Sequence, residues 1–360
     1  MRKILVLNGP NLGMLGRRQP EVYGHGTLAE LVDDLVAFGG RLGVEIEHAQ
    51  SDDESELIGR ILGTDADGIV LNAGALTHTS RALADALRSV DVPAVEVHIS
   101  DIRAREPWRA MSVIEDACVA TIAGRGRLGY RDAVRHLVNR WSAPFETVRY
   151  GPHPTNVGEV RPGQGLVVLV HGGVWRRSYG RDSLESVAVD LHRRGVRTWN
   201  VGYRRLGEGG GWPGSAHDVL TALDHASRIA DGPVVVLGHS AGGYLAMWAA
   251  TRTATPVSLV VALSPIADLE MAVADTGEIA AESAILLEHG APARPSPLHP
   301  HTLAAHGTAD RLVPIGHSDA LEAAGAEVIR LDCGHFEPID PAKQPWQEVA
   351  GRVVPAVLEG

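Results

Sequence analysis

The sequence predicts two α/β domains in tandem, and three observations carry that prediction. At 360 residues the chain is too long for one ordinary domain and suits two of about 150 residues each. Short aliphatic and β-branched runs alternate with stretches of helical hydrophobic spacing along its whole length. The alternation breaks once, at residues 142–163, where Pro, Gly and polar residues gather without periodicity.

In the first part, strands are expected at residues 4–7, 44–47, 68–71, 94–97 and 119–122. Between the first two, residues 27–41 place Leu28, Leu31, Val32, Leu35 and Val36 on one helical face. Thr27 followed by Glu30 is a capping-box signal for that helix. Strands alternating with helices imply a five-stranded parallel sheet covered on both faces, a flavodoxin-like doubly wound domain over residues 1–141. Residues 142–163 read as a linker, or as an extended arm laid on the second domain. That second domain, again α/β, is expected over 164–360, with strands at 166–170, 196–201, 233–237, 259–263, 303–306 and 327–331. Residues 271–298, Ala/Glu-rich and then Pro-rich, fit an inserted cap.

Composition narrows the function. The chain is 44% hydrophobic and 21% charged, and no run approaches the ~20 apolar residues of a membrane span. The opening MRKILVLNGPN is apolar only over residues 4–7, short of the roughly 7–15 residues of a signal-peptide core, so a cytoplasmic location is expected. A net charge of −11 gives no general attraction to nucleic acid or anionic membrane, which leaves small-molecule substrates as expected partners. Cys118 and Cys333 have neither a disulfide framework nor zinc-site spacing around them, so packing is their expected role. No His/Cys/Asp cluster has ligand spacing, and no metal or organic cofactor is called for. Lys3 and Lys343 are the only lysines among 33 basic residues, which excludes almost any Schiff-base chemistry.

Ligands of open α/β sheets bind outside the carboxyl ends of the strands. In the first domain those ends carry NGPN (8–11), NAGALTHTS (72–80) and VEVHIS (95–100), with GRRQPEVYG (16–24) as a glycine-flanked lid. Together with EVHISDIRAREPWR and GRGRLGY, these blocks make residues 2–140 resemble the type II 3-dehydroquinate dehydratases. The resemblance implies Tyr23 as the base, with Arg18 and Arg105 lowering a phenol pKa that is ordinarily about 10. It further implies Asn11 as the enolate stabiliser and His98 as the acid that protonates the departing hydroxyl. Glu96, two positions earlier on the same strand face, would orient His98. Asn72, Ile99 and Ser100 are implied for the substrate carboxylate, and His78 and Arg109 for the ring hydroxyls. Asp85 matches a residue that reaches a neighbouring subunit, which implies a homo-oligomer of trimers, up to a dodecamer. The sequence departs from the family at Asp101 and Arg103, where many members have Asn and His, and at QSDDES (50–55), which replaces QSN-x-EG. Gly124, Gly126 and Gly129 spell G-x-G-x-x-G, but no further βαβ strand with an acidic residue about 20 positions on follows, so a tight turn is the reading.

In the second domain, Gly238-His-Ser240-Ala241-Gly242 lies between an expected strand and the helical run YLAMWAA, the context of a G-x-S-x-G nucleophile elbow. Upstream, HGGVW places Gly172 and Gly173 where backbone N–H groups, with that of Ala241, would form an oxyanion hole. Asp310 and His335 follow later strands in the chain order Ser, acid, His and are preferred to Asp268, Glu337 and His306. RYGPHPTNV, HGGVWRRSY, YRRLGEGGGWP and GHSAGG make residues 149–360 resemble α/β-hydrolases close to kynurenine formamidases and carboxylesterases. That resemblance implies ester or amide hydrolysis through a Ser240 acyl-enzyme and leaves the substrate open. The expectation is a bifunctional enzyme. Its alternative is a dehydratase domain retained as an oligomeric scaffold that displays a hydrolase.

Overall fold

A computed structural model describes residues 1–19, 24–275, 277 and 279–359. The chain divides into two compact units, Met1–Ser142 and Ala143–Gly360.

The first unit runs β1 (Arg2–Asn8), α1 (Leu28–Leu42), β2 (Val44–Gln50), α2 (Glu54–Leu62), β3 (Gly68–Asn72), α3 (Arg81–Ser89), β4 (Ala94–His98), β5 (Ala120–Ala123) and α4 (Leu128–Ser142). The strands form one parallel sheet in the order β2-β1-β3-β4-β5. β1 and β3 are continuous apolar runs because both faces of a parallel sheet are covered by helices. The edge strand β2 runs on to Gln50, beyond the expected end at residue 47, because its alternating exposure lets polar residues sit within it. α1 opens on the capping box: Glu30 N–H donates to Thr27 Oγ1 at 3.2 Å, and Thr27 N–H to the Glu30 carboxylate at 2.9 Å. The chain reverses direction across the sheet between β1 and β3, which opens a crevice at their carboxyl ends.

The second unit begins with β6 (Glu146–Arg149) and β7 (Val157–Arg161), followed by β8 (Gln164–Val170), α5 (Glu185–Arg193), β9 (Val196–Val201), α6 (Gly214–Ala226), β10 (Val234–His239) and α7 (Ala241–Ala250). Then come β11 (Leu259–Leu263), α8 (Leu269–Ala274), α9 (Ala280–Glu288), β12 (Thr302–Gly307), α10 (Gly316–Ala323), β13 (Glu327–Leu331) and α11 (Gln344–Leu358). The sheet order is β13-β12-β11-β10-β8-β9-β7-β6, parallel except where β7 meets β6 and β9. Trp175, Trp199, Tyr203 and Tyr244 belong to one apolar cluster of this unit, and Leu184, Leu191, Trp346 and Val353 to another. Residues 271–298 contribute the end of α8 and all of α9.

Within the segment 142–163, expected as a linker or as an extended arm laid on the second domain, two strands, β6 and β7, join the second sheet. The segment's Pro and Gly lie mostly in the β6–β7 turn and at the strand ends, and the strands are too short to show periodicity. A buried ion pair ties it down. Arg161 Nη2 meets Glu185 Oε1 at 2.5 Å, both side chains are shielded from water, and Phe145 lies 5.1 Å from the guanidinium.

Cys118 and Cys333 pack at the margins of apolar clusters. Burial pushes their thiols up to about 12 and about 11, so neither holds much reactive thiolate near neutrality. Among the described residues, no helix is long and apolar enough to cross a membrane.

Glu185→Gln removes the carboxylate charge that meets the buried Arg161 guanidinium and is expected to cost the second unit about 3 kcal/mol. The check is a lowered urea midpoint in tryptophan fluorescence.

Candidate active sites

The crevice of the first unit is a pocket lined by Asn11, Arg18, Asn72, His78, His98, Ile99, Ser100, Arg105 and Arg109, with apolar backing from Leu12, Leu15 and Ile102. Nine of the residues singled out from the sequence thus converge on one cavity. Tyr23 lies outside the described residues. Asp85 does not line this pocket: it sits on α3 with its side chain 79% exposed, beside Arg88.

β4 brings an acid and an imidazole together at its carboxyl end. Glu96 and His98 share a strand face, and His98 Nε2–H donates to Glu96 Oε1 at 2.7 Å. A carboxylate can only accept, so this bond sets the tautomer and leaves Nδ1 as the nitrogen able to exchange a proton elsewhere. Glu96 is fully buried. Burial works to raise its pKa, yet bonds from His98, Thr77 and Ser112 outweigh that and hold it below the ordinary glutamate value. Ser112 Oγ donates to Oε1 at 2.8 Å, Thr121 Oγ1 to Oε2 at 3.0 Å, and Thr77 Oγ1 also donates to Oε1.

The pocket walls are prepared in similar detail. Asn11 adopts a left-handed φ of 69°. Its N–H donates to Asp52 Oδ1 at 2.8 Å, and Gln50 Nε2 reaches the same oxygen at 3.1 Å. His78 Nδ1–H donates to the Met111 carbonyl at 2.8 Å, and Trp108 packs on its ring at 5.3 Å. Arg105 and Arg109 both pair with Glu106, at 3.5 and 3.0 Å, and Arg109 stacks on Trp108 at 4.0 Å. Asp52, Thr77, Ser112 and Thr121 were not singled out from the sequence. Thr77 lay inside a noted block, whereas single hydroxyls such as Ser112 carry no local signal.

In the second unit, Ser240 stands between β10 and α7 with φ 54° and ψ −120°. That strained turn requires bare neighbours: a Cβ on Gly242 would lie 2.1 Å from the Val170 carbonyl oxygen, and one on Gly238 2.3 Å from that of Gly242. His335 Nδ1–H donates to Asp310 Oδ2 at 2.6 Å. Asp310 Oδ1 accepts the N–H groups of Leu312 and Val313, each at 2.9 Å. His306 Nε2 lies 3.3 Å from Oδ2 while donating to the Val313 carbonyl. Burial opposes the charge on Asp310, but the bonds from His306 and His335 prevail and keep it well below the usual carboxylate range. His306, weighed as a rival acid partner, thus supports Asp310. Asp268 caps α8 and pairs with Arg294 at 2.6 Å, so its carboxylate is already occupied.

Among the described residues, no hydrogen bond joins Ser240 to His335; such a bond commonly tightens only in the substrate complex. Gly172 borders the elbow, since a Cβ on it would come 3.0 Å from Ser240 Cβ, whereas one on Gly173 would meet the Tyr179 ring. The preceding His171 stacks on Tyr203 at 4.3 Å and receives that hydroxyl on its carbonyl at 2.7 Å. Burial pushes the imidazoles of His171 and His239 down to about 3, so neither brings a positive charge to the site near neutrality.

The first unit is a doubly wound domain with an imidazole–carboxylate pair at its strand ends, and the second has the sheet and elbow of an α/β-hydrolase. Residues 2–138 match the family model for dehydroquinase class II. A 3-dehydroquinate dehydratase of a Shewanella species is 50% identical over 141 residues, covering 98% of that protein and 39% of this chain. That of Shewanella oneidensis is 49% identical over 138 residues, covering 94% of it and 38% of this chain. Through its first unit, the chain belongs to the class II dehydroquinase family. Residues 187–325 match the prolyl oligopeptidase family model. Esterase B from Lactobacillus rhamnosis superposes with a TM-score of 0.53 at 18% identity, covering 65% of this chain and 94% of that one, which shows the shared fold.

Because the folded Glu96 carboxyl is held below the ~4.3 of a free glutamate, its contribution to stability is complete above that value and drains away as pH falls through the depressed one. Urea unfolding of wild type and Glu96→Gln should therefore differ most near neutrality, and the gap should close on acidification below about pH 4.

Proposed function

We propose that the chain is a bifunctional enzyme, a 3-dehydroquinate dehydratase joined to a serine hydrolase. The observation that carries the first activity is the buried Glu96–His98 pair opening on a pocket with three arginines, within a unit half identical to dehydratases along nearly their whole length. In this reading the Tyr23 phenolate removes the proton α to the ketone, and Arg18 and Arg105 supply the positive field that keeps the phenol ionised. Asn11 hydrogen-bonds the enolate oxygen. His98 then gives its Nδ1 proton to the tertiary hydroxyl, which leaves as water and yields 3-dehydroshikimate. Glu96 holds the imidazole and stabilises its charged form. Asn72, Ile99 and Ser100 receive the carboxylate, and His78 and Arg109 the ring hydroxyls.

In the second unit, Ser240 attacks an ester or amide carbonyl while His335 takes its proton and passes it to the leaving group. In this reading the backbone N–H groups of Gly172, Gly173 and Ala241 receive the developing oxyanion. Asp310, buried and bonded to His335, supports this assignment.

The two activities separate by mutation. Formation of 3-dehydroshikimate, followed by its absorbance, should fall by about 10³ or more in Tyr23→Phe and by 10²–10⁴ in His98→Ala, both order-of-magnitude expectations. Arg18→Ala should lower kcat far more than it raises KM, since it acts on the base. Ser240→Ala should abolish nitrophenyl-ester hydrolysis and leave dehydration intact. A wild type no faster than Tyr23→Phe would favour the scaffold role instead. The exposed carboxylate of Asp85 supports a site completed by a neighbouring copy, so sizing should give a trimer or its multiples, and a monomer would refute this.

A further inference from the structure

Four polar side chains in the first unit form a single directed chain beneath the pocket. The G-x-G-x-x-G turn delivers its central member: Gly124 and Gly126, with φ of 72° and 58°, lead from β5 into α4, whose third residue is the fully buried Tyr130. Asn72 Nδ2–H donates to Tyr130 Oη at 2.8 Å, and Tyr130 Oη–H donates in turn to Asn8 Oδ1. Asn8 Nδ2–H ends the chain on His48 Nε2 at 3.1 Å. At the pocket end, Asn72 Oδ1 accepts the N–H of Gly74 at 3.2 Å.

The sense of this chain is set by proton counting. Burial pushes the Tyr130 phenol up, so it stays protonated, and a phenol has one proton to give. With that proton committed to Asn8, the hydroxyl meets Asn72 only as an acceptor. Asn72 must then turn its NH2 toward Tyr130, and Gly74 holds its oxygen from the other side. Its second Nδ2–H remains, on a residue that lines the pocket. The Gly74 N–H, a backbone donor that cannot turn into an acceptor, holds the Asn72 oxygen and so fixes the sense of the chain from the pocket end.

We propose that Tyr130 is a positioning residue for substrate binding: it locks the Asn72 amide so that an N–H, and not the carbonyl, meets the substrate carboxylate. The inference rests on the dehydratase reading of the pocket. A contact of this kind is made equally in ground and transition states, so it should appear in KM and not in kcat.

Tyr130→Phe is expected to raise KM for 3-dehydroquinate about tenfold while kcat stays within about threefold. Asn72→Ala should do the same, and the double variant should be no worse than Asn72→Ala alone, because Tyr130 acts through that amide. Additive losses, or a fall in kcat at constant KM, would overturn the assignment. Asn8→Leu spares the tyrosine but removes the acceptor of its proton, so it too must raise KM; this variant decides the matter if Tyr130→Phe does not fold. Calorimetric titration with quinate, a non-reacting polyhydroxy carboxylate, should repeat the pattern in Kd. If wild type binds quinate in this pattern but does not dehydrate, the dehydratase reading fails and the positioning role stands. Unaltered quinate affinity in Tyr130→Phe refutes the role.

Discussion

A carboxylate taken out of water keeps its charge only where hydrogen bonds replace its hydration, and each half of this chain builds its site around one such group. Glu96 is surrounded by three hydroxyls and an imidazole, and Asp310 by two backbone amides and two imidazoles. In both, the acid can only accept, so the neighbouring histidine must present a donor to it and turn its other nitrogen away. The remaining features of the sites are geometry arranged around that polarity.

The two units reach this arrangement by different backbone means. In the first, acid and imidazole are two residues apart on one strand, and the pleat alone puts them side by side. The surrounding hydroxyls come from three other places in the chain. In the second, acid and imidazole follow different strands, and Ser240 sits on a turn whose neighbours could not carry ordinary side chains. A straight strand suffices to set an imidazole beside a carboxylate, whereas the turn at Ser240 needs strain, held in place by close backbone contacts around Gly238 and Gly242.

This difference decides what could be read in the sequence. The elbow was legible because its strain demands glycines at set spacing, and the strand pair because its residues are near neighbours. The order of aliphatic runs was enough to expect both sheets. Thr121 and Ser112 were not legible: a hydroxyl bonded across 16 or 25 positions leaves no local pattern. Tyr130 was hidden differently, since the glycines before it read as a turn, with nothing to say what the following helix buries. His306 looked like a competitor for the triad because sequence order cannot distinguish the imidazole that pairs with Asp310 at 2.6 Å from a second one that lies beside it at 3.3 Å. β6 and β7 were missed because four- and five-residue strands flanked by Pro and Gly are shorter than any periodicity test.

Those two strands also determine how the chain can be divided. A hydrolase fragment begun where the uninterrupted apolar strand starts, at Gln164, would lack β7 and β6, and β9 would become the border of its sheet. Its backbone groups on that side, now paired with β7, would be open to pairing with any other extended chain. Glu185 would lose the guanidinium of Arg161, which meets it away from water. A self-sufficient second unit therefore starts immediately after α4, and the apparent spacer between the domains is part of what covers the border of its sheet.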